Sequence, residues 1–225
     1  MKRARTIDTT TAPFADHSPA MVWYTAYGSN THLERLSHYL TGGRPRGAAR
    51  TYPGCRDPRP PAASVPVEVP GALYFATRSP VWRGGRAFFD PAAAGTVLAR
   101  AHLVTAAQLS DIVAQEMYRA PGADLDLSEA LARGRAQLGG GRYETLVCPG
   151  ALDGRPVLTF TAPWSLHDVE WTRPSAAYLR HLVAGLLDAG AWPASEIAAY
   201  LATRPGAAGH WTADAVAALT APRRQ

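Results

Sequence analysis

Two places in the chain carry residue types that can do chemistry. The first is Tyr27-Gly28-Ser29-Asn30. The apolar run of Val22, Trp23 and Tyr24 before it reads as a strand, and Gly-Ser-Asn is turn chemistry. Leu33, Leu36 and Leu40 then recur at helical spacing, with Asn30 or Thr31 placed to cap the helix. A strand, a tight loop and a helix start present backbone N–H groups that suit an anion; an ordinary strand-to-helix turn is the alternative. The second place is "TAAQLSDIVAQEMYR", where Leu109, Ile112, Val113, Glu116 and Met117 share one helical stripe behind Thr105, a plausible N-cap. A carboxylate on an apolar stripe faces the interior, where an ion is costly unless it is paired or neutralised. The competing reading puts Glu116 at the stripe's edge, reaching solvent or Arg119.

These groups need a scaffold, and the chain has the material for one. Its 225 residues, 47% hydrophobic, suit one domain with a buried core. No apolar run approaches the length of a membrane helix, and the first twenty residues lack a signal peptide's apolar stretch. A cytoplasmic protein with a loose arm over residues 1–20 is expected. Cys55 and Cys148 are far apart without metal spacing, so two reduced thiols are expected, and the seven histidines show no ligand spacing. The net charge of +5, and the crowding of Arg44, Arg46, Arg50, Arg56 and Arg59, invite a nucleic-acid reading. The basic segment interleaves with proline rather than aromatic residues, so a solvated loop is preferred.

Residues 41–66 are rich in Gly and Pro and read as a long connection with one short strand around Ala48–Tyr52. "VEVPGALYFATRS" and "GRAFFDPAAAGTVLARAHLVT" read as antiparallel strands. A short helix over Ser128–Gln137, a glycine break at 139–141 and strands at Tyr143–Cys148 and Val157–Thr161 follow, the strands joined by a turn at Asp153-Gly154. Tyr178, Leu182, Gly185 and Leu186 lie on one side of a late helix, and Pro193 opens another. The expected class is α+β with a mainly antiparallel, barrel-like sheet and flanking helices.

In this order the pieces resemble the γ-glutamyl cyclotransferase family. The resemblance rests on Tyr27-Gly28-Ser29-Asn30, on "SPVWRGGRA" (79–87), on "ARAHLVTAAQLSDIVAQE" ending at the family's catalytic glutamate position, Glu116, and on "PSAAYLRHLVAGLLDAGAWPASEIAAYL". It spans roughly residues 22–204, with residues 205–225 as an extension of the same domain. Met117 stands where glycine is common, and the segment from Met117 to Arg142 is long for the family.

The resemblance implies cleavage of a small-molecule γ-glutamyl amide by attack of the substrate's own α-amine, releasing 5-oxoproline and a free amine without metal or cofactor. It makes Glu116 the general acid/base and Gly28, Ser29 and Asn30 backbone donors. Tyr27, Tyr143 and Tyr178 each fit either pocket wall or core, with Tyr178 tipped toward substrate. Trp82 and Gly84-Gly85 read as a bulge shaping the wall. An amidase or acyltransferase, or a non-catalytic γ-glutamyl-metabolite binder, would use the same residues. Asp124, Asp126 and Glu129 in the long insert suggest a basic or neutral released amine over the anionic end of glutathione.

Overall fold

The structure, a computed structural model, describes residues 2–10, 14, 19–44 and 51–220. The elements run β1 (Arg5–Thr6), β2 (Met21–Ala26), α1 (Leu33–Thr41), β3 (Ala63–Pro70), β4 (Ala72–Ser79), β5 (Gly84–Asp90), β6 (Thr96–Thr105) and α2 (Ala106–Glu116). After these come α3 (Ser128–Arg133), β7 (Arg135–Gln137), β8 (Thr145–Leu152), β9 (Arg155–Thr161), α4 (Ala176–Ala189), α5 (Ala194–Ala202) and α6 (Ala213–Ala217). The class is α+β, as the residue patterns indicate.

Seven strands form one sheet in the order β1-β3-β6-β2-β9-β8-β7, antiparallel except for β1 with β3 and β2 with β9. The central strand β2 is buried on both faces. Trp23 packs into a core with α4 and α5, while Val22, Tyr24 and Ala26 pack into a second core with α1, α2 and α3. A strand covered on both sides reads as a continuous apolar run, which "VWYTA" is.

The expected barrel does not close: β1 and β7 end the sheet, and β4 with β5 forms a separate two-stranded hairpin. The outer edge of β5 meets β9 through a side chain rather than a ladder. Thr161 Oγ1 accepts from Phe89 N at 3.1 Å and donates to Phe89 O at 2.7 Å.

Local signals placed several elements well. Thr105 caps α2 in a full capping box with Gln108. Asp153 and Gly154, both at positive φ, make the two-residue turn between β8 and β9. Other expectations are corrected. The arm is docked over residues 5–8: β1 pairs with β3, Ile7 is buried, Asp8 bridges Ala151, and Arg5 Nη1 donates to Asp153 Oδ2 at 2.8 Å. Neither Asn30 nor Thr31 caps α1; His32 holds that position without a side-chain bond. The helix expected over Ser128–Gln137 ends at Arg133, where Gly134 turns left-handed and β7 begins. Strand β8 starts at Thr145, after Tyr143.

Of the strand expected at Ala48–Tyr52, residues 48–50 lie outside the described residues, as do Arg46 and Arg50; Tyr52 makes an isolated bridge to Gly43. Arg56 and Arg59 are tied up in ion pairs with Asp111 and Asp57. Cys55 and Cys148 are half-buried free thiols, and burial pushes the Cys55 thiol up to about 12. Among the described residues no helix is long and apolar enough to cross a membrane.

Candidate active site

The loop after β2 is fixed through its carbonyl oxygens. Residues Ser29–Thr31 form a 3-10 turn, and Gly28 O accepts from Thr31 N at 3.1 Å and from Thr31 Oγ1 at 2.9 Å. Ser29 O lies 2.9 Å from His181 Nε2, and Asn30 O lies 3.2 Å from His102 Nε2. Thr31 O accepts from Arg100 Nη1 at 3.4 Å.

A carbonyl only accepts, so each imidazole carries its proton on Nε2. His102 Nδ1 is then left to accept from Ser64 Oγ at 2.9 Å. Burial lowers both imidazoles, aided by Arg100 at His102 and by His32 and Arg35 at His181: His102 falls to about 3 and His181 to about 4. Both are neutral near pH 7. With four successive carbonyls held, the first N–H groups of the turn, those of Ser29 and Asn30, have no intrahelical acceptor.

Helix α4 reaches this loop because Gly185 has no side chain: a Cβ there would lie 2.3 Å from Thr31 Oγ1. Gly28 itself has φ −107°, which does not require glycine. Its missing side chain leaves space, since a Cβ would stand 3.4 Å from Tyr178 Oη.

The loop forms one wall of a cleft of about 760 Å³ that opens to solvent. Glu116, the last residue of α2, forms another, and its Oε1 lies 3.3 Å from Asn30 Nδ2. The same amide donates to Tyr24 Oη at 3.1 Å. Glu116 is half-buried, and the Arg119 pairing considered for it is not made: Arg119 Nη2 reaches Glu144 Oε1 at 2.7 Å. Burial first, then the charge of Glu116, raises the phenols of Tyr24 and Tyr39. Among the described residues lining the cleft, Glu116 is the one carboxylate.

Tyr27, Tyr143 and Tyr178 all line the cleft, but their hydroxyls are used differently. Tyr27 donates to Phe160 O at 2.7 Å and Tyr143 donates to Ala87 O at 3.0 Å, so both protons are spent on backbone. Tyr178 Oη instead accepts from Ala87 N at 3.3 Å, which leaves its proton to donate. Trp82 also lines the cleft and packs on Tyr178, with ring centroids 5.0 Å apart. The bulge expected at Gly84-Gly85 lies on the facing strand, at Thr77. The glycines serve close approach: a Cβ on Gly85 would be 1.9 Å from Thr172 O.

The acids of the insert are engaged outside the cleft. Asp124 pairs with Arg56 at 2.5 Å, Asp126 Oδ1 accepts from Ser128 N at 2.9 Å, and Glu129 faces Arg133 at 3.5 Å. Arg35, Arg86, His102 and His181 had no part in the sequence reading of the site. Arg86 shares its strand face with Phe88 and Asp90, a mixed face on which a cation does not stand out as Glu116 does on its helix.

No protein-family model and no curated protein sequence matches the chain. Solved structures are similar to it, among them the two that follow. One, an uncharacterized protein from Homo sapiens described by ensemble refinement, is 17% identical over 83% of this chain and 90% of its own, with a TM-score of 0.47. The other, described as a gamma-glutamyl cyclotransferase, is 15% identical over 88% of this chain and 98% of its own, with a TM-score of 0.49.

Proposed function

We propose that the chain is a γ-glutamyl cyclotransferase, with Glu116 as proton carrier. The observation that supports this reading is the meeting of Glu116 with the Gly28-Ser29-Asn30 loop, far apart in sequence, across one cleft. In the proposed reaction Glu116 takes a proton from the substrate's α-ammonium. The freed amine attacks the γ-carbonyl carbon, forming the ring C–N bond. Negative charge develops on the carbonyl oxygen, for which the Ser29 and Asn30 N–H groups and the Tyr178 hydroxyl are suited donors. As the adduct collapses, the bond to the departing nitrogen breaks. That nitrogen receives the proton held by Glu116 and then the one lost from the ring nitrogen, so 5-oxoproline and an ammonium leave and no water is consumed. A positioned carboxylate is the group such a double transfer needs.

Replacing Glu116 by Gln tests this, because the amide keeps the shape but cannot take the proton. Mass spectrometry of products from a panel of γ-glutamyl peptides and amides is expected to show 5-oxoproline and amine in equal amounts. The variant should lose about 10²–10⁴-fold in turnover, and a rate within about threefold of wild type would remove Glu116 from the reaction. Free glutamate in place of 5-oxoproline would instead identify an amidase.

A further inference from the structure

Asn30 is the only asparagine in the chain, and its side chain sits where the loop, β2 and α2 meet. It is 4% exposed, and its Nδ2 lies 3.1 Å from Tyr24 Oη on β2 and 3.3 Å from Glu116 Oε1 at the end of α2. Its Oδ1 is buried without a hydrogen-bond partner. An ionised carboxylate only accepts, so the amide end beside Glu116 has to be the NH2. The amide leaves its oxygen unsatisfied, which is unfavourable, and keeps both N–H groups at this junction.

Glu116 needs such a partner. It is the last residue of α2, where the helix presents its negative end, and no basic residue stands in that last turn. Its side chain has three torsions to fix, and a misplacement of about 1 Å can cost about 10²-fold in rate. Tyr24 makes the hold rigid. It lies within β2, paired with His102 of β6 and Leu158 of β9, is 2% exposed, and stacks on Phe160 with ring centroids 5.5 Å apart. Burial and the charge of Glu116 raise its phenol, so the hydroxyl keeps its proton and serves Asn30 as a neutral acceptor.

We propose that Tyr24 and the side chain of Asn30 are positioning residues for the proton transfer, fixing which oxygen of Glu116 carries the proton. The amide occupies Oε1 in both protonation states, because the carbonyl oxygen of the neutral acid accepts as the carboxylate does. The proton taken from the substrate's ammonium therefore rides on Oε2 and leaves from that same oxygen. This rests on the cyclotransferase reading and adds to it two side chains that act through Glu116.

Heteronuclear NMR of protein isotopically labelled at asparagine alone reads the contact directly, since it gives a single side-chain NH2 signal pair. The proton facing Glu116 is expected downfield of its partner. Glu116→Gln should move that proton upfield, and Tyr24→Phe, which keeps the stacked ring, should move the other. Signals indifferent to both changes would overturn the proposal. In turnover, Tyr24→Phe should lower kcat roughly 2- to 10-fold and Asn30→Ala roughly 10- to 100-fold, the ranges of a neutral and a charged hydrogen bond, with KM unchanged. Tyr24→Phe should take nothing further from Asn30→Ala or Glu116→Gln protein. An equal Tyr24→Phe loss in those backgrounds, or a loss carried by KM, would also overturn the proposal. The NH2 response without any 5-oxoproline release would show the hold on Glu116 and reject the cyclotransferase reading, and release with indifferent signals would do the reverse.

Discussion

His102 gives the fold a pH dependence that can be worked out from its burial. Its side chain is fully buried, and burial, reinforced by Arg100, lowers it from 6.5 to about 3. Because the folded value lies below the unfolded one, the unfolded chain takes up a proton first as the pH drops. The contribution is therefore complete above about 6.5 and is lost progressively down to about 3. At pH 4.5, two pH units below the unfolded value, the loss from His102 alone is about 3 kcal/mol. That is a large part of a typical net stability of about 5–15 kcal/mol.

His181, lowered to about 4, acts in the same direction over a narrower window. The carboxylates lowered by hydrogen bonds or ion pairs, Asp57, Asp126, Asp153 and Asp168, start from 3.8 and give up their contribution only below that. The interval from pH 6.5 to 4.5 thus isolates the histidines. Urea unfolding followed by tryptophan fluorescence should show wild type losing about 3 kcal/mol or more across it. His102→Gln keeps an N–H for Asn30 O but does not titrate. It should be less stable at pH 7 and lose about 3 kcal/mol less over the interval. Identical pH slopes for the two proteins would refute a buried neutral His102.

Two further outcomes follow from close contacts. Gly85→Ala puts a methyl 1.9 Å from Thr172 O and should lower the melting temperature by roughly 6–12 °C, an overpacking cost of about 3 kcal/mol; an unchanged melting temperature would show that β5 and the segment before α4 are not held so close. Tyr178→Phe leaves the Ala87 N–H without its acceptor and removes a donor from the cleft. A stability loss of about 1–3 kcal/mol, together with a lower kcat, is expected, and a change in stability alone would place Tyr178 outside the reaction.

What the sequence discloses and what it hides divide along the range of the interactions. Thr105 and Gln108 cap a helix within one turn, Asp153-Gly154 closes a two-residue hairpin, and Glu116 departs from the apolar periodicity of its own helix. Each of these signals sits inside a short window. The docking of Arg5–Thr6 depends on Val67 and Glu68, and the end of the helix after Ser128 depends on β7 finding β8. Two- and three-residue strands have no periodicity to reveal them. The openness of the barrel-like sheet is hidden for a related reason: consecutive strands of antiparallel type can pair off as a hairpin, and the side-chain bonds of Thr161 show that β5 lies beside β9 without joining it.

The loop shows how long-range contacts build a site that looks local. Tyr27-Gly28-Ser29-Asn30 reads as a turn that offers N–H groups because a helix follows it. In the folded chain the following helix contributes little to that orientation, since α1 begins only at Leu33. The carbonyl of Ser29 is held from α4 by His181, and those of Asn30 and Thr31 are held from β6 by His102 and Arg100. A peptide plane whose oxygen is bound on one side directs the N–H of the next residue to the other, so Thr31 at Gly28 O aims the Ser29 N–H, His181 at Ser29 O aims the Asn30 N–H, and His102 and Arg100 anchor the end of the turn. The last three come from residues 100–102 and 181, and Gly185 lets α4 close in. The donor geometry therefore exists only once β2, β6 and α4 have assembled, and it persists only while both imidazoles stay neutral or at least keep Nε2 protonated. Protonating His102 keeps that donor but removes the Nδ1 acceptor facing Ser64 Oγ. Ser64 Oγ must then accept from Nδ1 instead of donating to it, so acid reverses the contact on β3 while the bond to Asn30 O is kept.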